Sequence, residues 1–509
     1  MERSGIRLEV RTVGLYLGID FGTSTMYVTR WHEEKHRTEP VSNLGTHESR
    51  NVFPNVIYYD SPAEWQIGHA AEKKGTKDPA NFVPCVKRGL EQSAFKRYIP
   101  NLGRELTAVE IARDIFICLK KKVEHNFGGE SIAGVVISVP FAFQHAERGR
   151  IKRAAEMADL KVLGLIEEPV AAALSFGLEQ KAKPGICEKV LVFDLGGGTF
   201  DVAAFKFVKQ AEDRFVVEVL GTDGNKHLGG IDIDEYIFQQ IREKLEKEHE
   251  GYRMDALDVK QLALERAKLT EIACQTKENV ATYDDDEQVF FSSQIDDQIQ
   301  YDELWEGKQL EETLKSNGFI DEVAEVLDRL LFDLELKKTD IDRIILVGGT
   351  CAIPAIQEQV QVFFGKAPEK CDKLDEMVGA GAGVYCGMLL DKKIRFSVKL
   401  RLSKAIGLKQ NGRFKPLLSR NAPYGDTSDL TILPLKQNGR EKKITVYQGD
   451  GAQQSELAAF TISSENLNRV QGRLGLTIST DKNGMVGYAV YDVASDDERR
   501  AIASGMLEI

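Results

Sequence analysis

From Gly14 to about Leu390 the chain alternates short β-branched apolar runs with longer helical stretches, the pattern of an α/β architecture. Val135-Val136-Ile137-Ser138-Val139 is one of the predicted strands. Val323, Val326, Leu327, Leu330, Leu331 and Leu334 recur at the three-and-four spacing that lays one apolar stripe along a helix. After Leu390 the period drops to two, and the pairs Asn411-Gly412, Asn438-Gly439 and Asn483-Gly484 punctuate it, which predicts antiparallel hairpins. The last is the clearest, because Leu474, Leu476 and Ile478 alternate before its turn and Val486, Tyr488 and Val490 after it. A β-sandwich of about 100 residues is expected there.

The predicted division is an extension over 1–13, an α/β unit over 14–390, a linker over 391–404, the sandwich over 405–495 and a tail over 496–509. The linker, DKKIRFSVKLRLSK, carries six basic residues and one acidic residue. The 509 residues at roughly 150 per domain agree with about three folding units.

With 42% hydrophobic and 29% charged residues the composition is that of a soluble globular chain. Lys and Arg total 67 against 79 Asp and Glu, a formal charge of −12, which argues against nucleic acid as a partner. The longest apolar stretch, Met377 to Leu390, has fourteen residues, short of the roughly 20 that span a bilayer, so no membrane segment is expected. MERSGIRLEVRTV lacks a continuous apolar region and is not a secretory signal, leaving the cytoplasm as the default compartment. The seven cysteines form no Cys-x-x-Cys pair, and neither a disulfide framework nor a zinc ribbon follows.

Two segments share one design. GIDFGTSTMYV (Gly18 to Val28) and VFDLGGGTFDV (Val192 to Val202) both run as an apolar strand, an Asp, a glycine turn carrying hydroxyls, and a second strand. Glycine lets the backbone turn and bring bare N–H groups onto phosphate oxygens, and Ser or Thr hydroxyls add donors. The Asp at the strand end suits a hydrated Mg²⁺ ion. Either loop alone is equally well a tight hairpin; together they argue for two half-domains around a phosphate. A third loop, RIILVGGTCAIP (Arg343 to Pro354), leads from a strand through Gly348-Gly349-Thr350 into a helix start, a place for a nucleotide. No G-x-x-x-x-G-K-[ST] loop exists, and both Asp-bearing loops return into a strand, which disfavours a Rossmann site.

In order along the chain, GIDFGTS, NFVPCVKRGL, VVISVPFAFQHAERGRIKRAAEMADLKVLGLIEEPVAAALSFGLE, VFDLGGGTFDV, HLGGIDID, LERAK and VGGTCAIP resemble the seventy-kilodalton heat-shock chaperones of the DnaK type. The resemblance covers almost the whole chain. It implies an actin-like (ribonuclease H-like) two-lobed α/β ATPase joined to an all-β peptide-binding sandwich, with the family's helical lid missing and DDERRAIASGMLEI a short helical tail.

The resemblance also implies site roles. Gly22, Thr23, Ser24 and Thr25 wrap the phosphates of ATP or ADP from one lobe, and Gly196, Gly197, Gly198 and Thr199 do so from the other, with Gly348, Gly349 and Thr350 as the third loop. Asp20 and Asp194 hold Mg²⁺ through water. Lys87 places the attacking water and offsets charge on the γ-phosphate, as phosphoryl transfer requires. Glu168, presented at a helix start by Pro169, orders water around the metal. Thr199 and Asp201 complete the catalytic group, Asp201 accepting from water or a monovalent cation such as K⁺. Glu265 and Lys268, on one helix face, contact the ribose and adenine edge, and Asp375 lies near the nucleoside. Pro140 and Arg148 relay nucleotide state to the sandwich.

Some positions depart from the family. Ile272 replaces a frequent Ser and Ala352 a frequent Arg, which thins the nucleoside contacts while phosphate contacts stay; ATP binding that calorimetry can detect is expected. The basic linker replaces an acidic, leucine-rich one that docks on the ATPase, which puts allosteric coupling in question. His32-Glu33-Glu34-Lys35-His36 satisfies a zinc-protease pattern but follows a strand and is read as a solvated hairpin tip.

The resulting expectation is an ATPase chaperone, slow in isolation, that binds extended apolar peptide segments by a mode akin to strand addition and works with a J-domain co-chaperone and a nucleotide exchange factor. The rivals are an actin-like filament-forming ATPase, a holdase or scaffold without turnover, and a sugar kinase of the same superfold. The β-rich C-terminal region, the retained Lys87, Glu168, Thr199 and Asp201, and the absence of an acceptor domain argue against these in turn.

Overall fold

Leu15–Phe21 and Cys187–Leu195 each sit inside a mixed sheet, and each turns through a glycine loop into an antiparallel neighbour. The computed structural model describes residues 14–44, 51–143, 145–179, 185, 187–211, 214–281, 288–294, 299–369, 373–390, 396–402, 404–410, 412–420, 422–434, 441–450, 453–481, 484–494 and 498–507. The first sheet runs Val162–Glu167, Ile132–Val139, Leu15–Phe21, Thr25–His32, Arg37–Pro40. The second runs Arg343–Val347, Cys187–Leu195, Phe200–Ala211, Arg214–Asn225, Phe396–Lys399. In both, the strand bearing the Asp has a parallel partner on its other side, Ile132–Val139 and Arg343–Val347 respectively. The repeat read in the loops is thus a repeat of two lobes.

Alternate residues of the central strands feed different cores. Val135, Ile137 and Val139 join a cluster with the helix Ala108–Asn126, whereas Val136 joins one with Val192, Ile345 and the helix Met377–Leu390. Burial on both faces is why these strands read as continuous apolar runs. The second of these cores contains residues of both lobes, so Met377–Leu390 ties them together. Its glycines serve close approach: a Cβ on Gly381 would lie 1.7 Å from the Ala171 carbonyl oxygen, and one on Gly18 would lie 2.1 Å from the Gly383 nitrogen. Among the described residues no helix is long and apolar enough to cross a membrane. The helix expected from the Val323 to Leu334 stripe is Phe319–Asp333, and His32 to His36 spans a hairpin tip between Thr25–His32 and Arg37–Pro40.

The C-terminal region stacks two four-stranded sheets, ordered Arg413–Leu418, Ala405–Gln410, Lys442–Asp450, Gln453–Ile462 and Thr431–Leu433, Arg473–Thr480, Val486–Val493, Arg499–Met506. Ile406, Leu408, Val446, Leu474, Leu476, Ile478 and Val490 fill the space between them. Two expectations are corrected here. The segment expected as a helical tail is the edge strand Arg499–Met506, antiparallel to Val486–Val493. It pairs the open ladder edge of that strand, Ile502 and Ala503 pack on the sandwich core, and Leu507 just beyond is buried in it; a helix would leave the ladder unpaired. The pair Asn438-Gly439 lies outside the described residues, and the strands on either side of it, Thr431–Leu433 and Lys442–Asp450, belong to opposite sheets and do not pair as a hairpin. Asn411 and Asn483 also lie outside the described residues, while the strands around them pair as hairpins.

The expected linker is only partly one. Residues 391–395 and 403 lie outside the described residues, and Phe396–Lys399 forms a parallel edge strand on Arg214–Asn225. Its charge finds a counterpart: Arg401 Nη2 is 2.8 Å and Lys399 Nζ 3.9 Å from the Glu218 carboxylate, which lowers the Glu218 pKa through the Arg401 hydrogen bond.

Candidate functional site

The two glycine loops face each other across the lobes. A Cβ on Gly197 would lie 2.1 Å from Ser24 Oγ, and one on Gly198 would lie 2.5 Å from the Thr23 methyl group, so no larger residue fits at either position. Asn55 holds the first loop by donating its side-chain amide to the Gly22 carbonyl at 2.6 Å and its backbone N–H to the Ser24 carbonyl at 2.7 Å. The second loop closes on itself through Gly196 N–H to the Thr199 carbonyl at 3.0 Å. It meets the third loop where Thr350 Oγ1 donates to the Gly196 carbonyl at 2.9 Å. Gly348, at φ 88°, turns that loop against Leu195 and Asp194.

Between the loops four carboxylates gather around one ammonium. Lys87, from the short helix Val86–Gly89, is buried, and its Nζ lies 2.5 Å from Glu168 Oε1. Glu168 is the first residue of the helix Glu168–Glu179. Asp20 accepts from Ser138 Oγ at 2.7 Å, and Asp194 stands opposite Asp201 in the ladder. Burial first, and then the Glu168 charge, push Asp20 and Asp201 up to about 7 and Asp194 well above the ordinary carboxylate range. Thr199 donates to Asp201, and the Ala142 N–H reaches Asp201 Oδ1 at 3.4 Å. Asp194 Oδ2 and Asp201 Oδ2 are buried without a hydrogen-bond partner among the described residues. Acceptors stranded in this way fit a hydrated cation, which would supply both charge and donors.

Asp375 lies close enough to Asp20 to raise its pKa. Pro140 and Arg148 meet at one turn, because the Pro140 carbonyl accepts from Phe143 N–H and the Phe143 carbonyl from Arg148 Nε at 3.0 Å. Arg148 Nη2 then pairs with Glu167 at 2.8 Å. Glu167 also accepts the hydroxyl of Tyr424, a sandwich residue, at 2.5 Å. The sandwich touches the other lobe too, where Arg420 lies 2.7 Å from Asp333.

Glu265 and Lys268 are not brought to this cluster. They face each other at 3.8 Å, Glu265 accepts from the Tyr252 hydroxyl at 2.6 Å, and the Lys268 side chain is 43% exposed. The helix Val259–Val280 also carries Lys277, whose Nζ lies 2.7 Å from Asp234 Oδ1 and 3.1 Å from the Gly230 carbonyl. Gly230 in turn donates to the Gly196 carbonyl of the second loop at 3.1 Å. Nine residues at 1.5 Å each put Lys268 about 13 Å further up the helix. Ile272 is a core residue of the same helix. Sequence reasoning did not single out Lys277, which has no acid three residues before it, where the chain has Cys274. The Asp258 cap starts a helix of 22 residues, which places Lys277 in its last turn.

Comparison with known proteins gives a consistent result. The family model "Hsp70 protein" matches residues 94–505. The "Chaperone protein DnaK" of Thermotoga petrophila is 30% identical over 501 residues, covering 96% of this chain and 80% of that protein. The corresponding protein of Thermosipho africanus is 29% identical over 502 residues, with the same coverage of 96% and 80%. A "Chaperone protein HscA homolog" of Pseudoalteromonas atlantica is 28% identical over 508 residues, covering 94% and 76%.

Proposed function

The chain belongs to the Hsp70 family, and on that premise we propose that it is an ATP-driven chaperone in which hydrolysis between the lobes governs a peptide-holding sandwich. The observation that carries this reading is the convergence of Asp20, Asp194, Asp201 and Glu168 on Lys87 between two facing glycine loops.

In this reading the bare amides and hydroxyls of 22–25 and 196–199 bind the phosphates. Asp20 and Asp194 hold Mg²⁺ through water, and the ion, when bound, offsets charge on the phosphate oxygens. Lys87 has the place for the attacking water and the γ-phosphate, since its ammonium is dry and already carries one carboxylate partner. Glu168, Thr199 and Asp201 hold that water in line, and positioning with electrostatics supplies most of the rate. Glu265 and Lys268 contact the ribose and adenine edge, and Lys277 braces Asp234 and the Gly230 carbonyl behind the second loop. Coupling to the sandwich is supported by its contacts to both lobes, through Tyr424 and Arg420, and by the edge strand Phe396–Lys399. The basic linker therefore docks on an acid instead of losing its dock. Turnover is slow in isolation, paced by a J-domain co-chaperone and an exchange factor, and the sandwich takes extended apolar peptide segments.

The test is steady-state ATP turnover of the full chain and of Lys87→Ala, each with and without a short apolar peptide. A loss of at least about a hundredfold in Lys87→Ala is expected, with peptide stimulation in the wild type. Turnover that survives Lys87→Ala sinks the assignment of the cleft. Lys87-dependent turnover that ignores peptide leaves the ATPase but removes the coupled chaperone.

A further inference from the structure

The helix Met377–Leu390, which ties the lobes together, lies along the strand Thr25–His32 of the first lobe in matched steps. A Cβ on Gly379 would lie 2.5 Å from the Tyr27 ring, one on Gly383 2.4 Å from Thr29 Oγ1, and one on Gly387 2.5 Å from the Trp31 ring. Four helical residues advance about 6 Å and two strand residues about 6.6 Å, so every fourth helix position meets every second strand position. The Thr29 hydroxyl donates to the Gly379 carbonyl at 2.8 Å and closes the fit. The helix therefore starts at the Tyr27 end of this contact, and Tyr27 stands opposite Asp20 in the ladder.

Just before the helix, the turn Lys373 to Glu376 holds on to both lobes. The Leu374 carbonyl accepts from the Gly348 N–H of the third loop at 3.0 Å, and Gly348 abuts Asp194. Glu376 Oε2 accepts from the Tyr27 hydroxyl at 2.9 Å, 349 residues away in the chain. Between these two anchors Asp375 lies close enough to Asp20 to raise its pKa. The turn is braced from within by the Glu376 N–H on the Lys373 carbonyl at 3.1 Å and by Lys373 Nζ on Glu376 Oε2 at 3.0 Å. Tyr27 is buried, and burial together with the Glu376 charge pushes its phenol above the ordinary range, so it stays a donor. Two residues of chain reach about 7 Å at most, so a wide parting of the lobes here has to break one of the two bonds.

Resting on the reading that this cleft holds a nucleotide, we propose that Tyr27 is a positioning residue for it: the hydroxyl, through Glu376, sets the turn that fastens the third loop to the first lobe, and so governs how fast nucleotide leaves. It acts from behind the cleft. The strand that carries Tyr27 pairs with the strand of Asp20, and the turn it holds meets the loop that packs on Asp194. Losing a hydrogen bond to a charged group shifts an equilibrium by about tenfold or more, which sets the size of the effect on release.

The test is release of a fluorescent ADP analogue, with millimolar Mg²⁺, from the full chain, from Tyr27→Phe and from Glu376→Gln, together with hydrogen exchange at the Gly348 amide in the nucleotide-free proteins. Phenylalanine keeps the ring against Gly379 and removes only the donor. Release from Tyr27→Phe should be about tenfold faster, with faster exchange at Gly348. Glu376→Gln, whose amide oxygen still accepts, should release within about threefold of wild type. Unchanged release from Tyr27→Phe overturns the proposal and leaves the nucleotide cleft standing. Faster release with unchanged exchange at Gly348 overturns it too, since the effect then does not run through the turn. Equal acceleration in both variants also overturns it, because the Glu376 charge and not the hydrogen bond then matters. A wild type that binds no ADP removes the nucleotide reading itself, and the proposal falls with it.

Discussion

The imidazole of His145, at the start of the helix His145–Met157, and the carbonyl of Leu507, just past the last strand, lie 3.0 Å apart although 362 residues separate them in the chain. The other ring nitrogen, Nδ1, accepts from the Val486 N–H at 3.3 Å. One tautomer satisfies both bonds, the neutral ring with its proton on Nε2. His145 is thus a pin between the first lobe and the sandwich that works only uncharged. The charged groups facing it are Arg148 on its own helix and Asp481 on the sandwich, and burial leads in lowering its pKa below the ordinary 6.5.

The sign of the pH dependence follows. A histidine whose pKa is lowered by docking favours the docked state fully above its free value and loses that contribution as pH falls through its lowered one. Docking of the sandwich should therefore weaken as pH drops below about 6.5. Hydrogen exchange at the Val486 amide, corrected for intrinsic rate, should rise between pH 7.5 and 5.5 in the wild type. His145→Gln, which has an acceptor and a donor but no charge, should be flat over that window; equal slopes in both proteins would remove the role of His145.

Tyr424 bonds Glu167, which already receives Arg148, and Glu167 precedes the cleft residue Glu168. A neutral donor on a buried carboxylate is worth about 1.5–3 kcal/mol. Tyr424→Phe should weaken docking by about that amount, abolish peptide stimulation and leave the KM for ATP unchanged. An unaltered stimulation ratio would show that this contact transmits nothing.

The cluster Asp20, Asp194 and Asp201 is a store of protons as well as of acceptors. Asp20 and Asp201, raised to about 7, and Asp194, raised well above the ordinary carboxylate range, contribute stability that is present at acid pH and lost as pH rises through their raised values. Magnesium nucleotide needs them ionised, so its binding near pH 7 should release protons. Titrations in buffers of different ionisation enthalpy measure the release. Melting curves should show a larger gain from Mg²⁺-ADP at pH 8 than at pH 6, and the reverse order would contradict the assignment of these acids to the metal.

Arg401 and Glu218 form a half-buried pair that fastens the strand Phe396–Lys399. Such a pair is worth less than about 1 kcal/mol by itself, but Glu218→Arg sets like charge against both Arg401 and Lys399. Exchange at the amides of 396–399 should accelerate and peptide stimulation should fall. The double swap Glu218→Arg with Arg401→Glu should recover part of both; no recovery would mean that charge matching does not hold this strand.

The parts of the protein legible in its sequence were those whose physics is local. The turn Gly22 to Thr25 and the turn Gly196 to Thr199 each need contiguous glycines and hydroxyls after an apolar strand, and the structure sets them face to face. Lys87 and Glu168, 81 residues apart, could be paired only through the family resemblance, and they lie 2.5 Å from each other. Where the outcome hung on a distant partner, local pattern failed. Lys277 carries no local signal, and only the folded helix sets it against Gly230 and Asp234. Residues 499–506 carry no strong alternation, and the free ladder edge of Val486–Val493 makes them a strand. The basic residues after Leu390 read as a linker until Glu218, nearly two hundred positions earlier, supplies a dock for Arg401. A turn is decided by the backbone freedom of its own residues, whereas an edge strand, a helix register at a cleft and an interdomain pin are decided by groups that only the folded chain brings within hydrogen-bond reach.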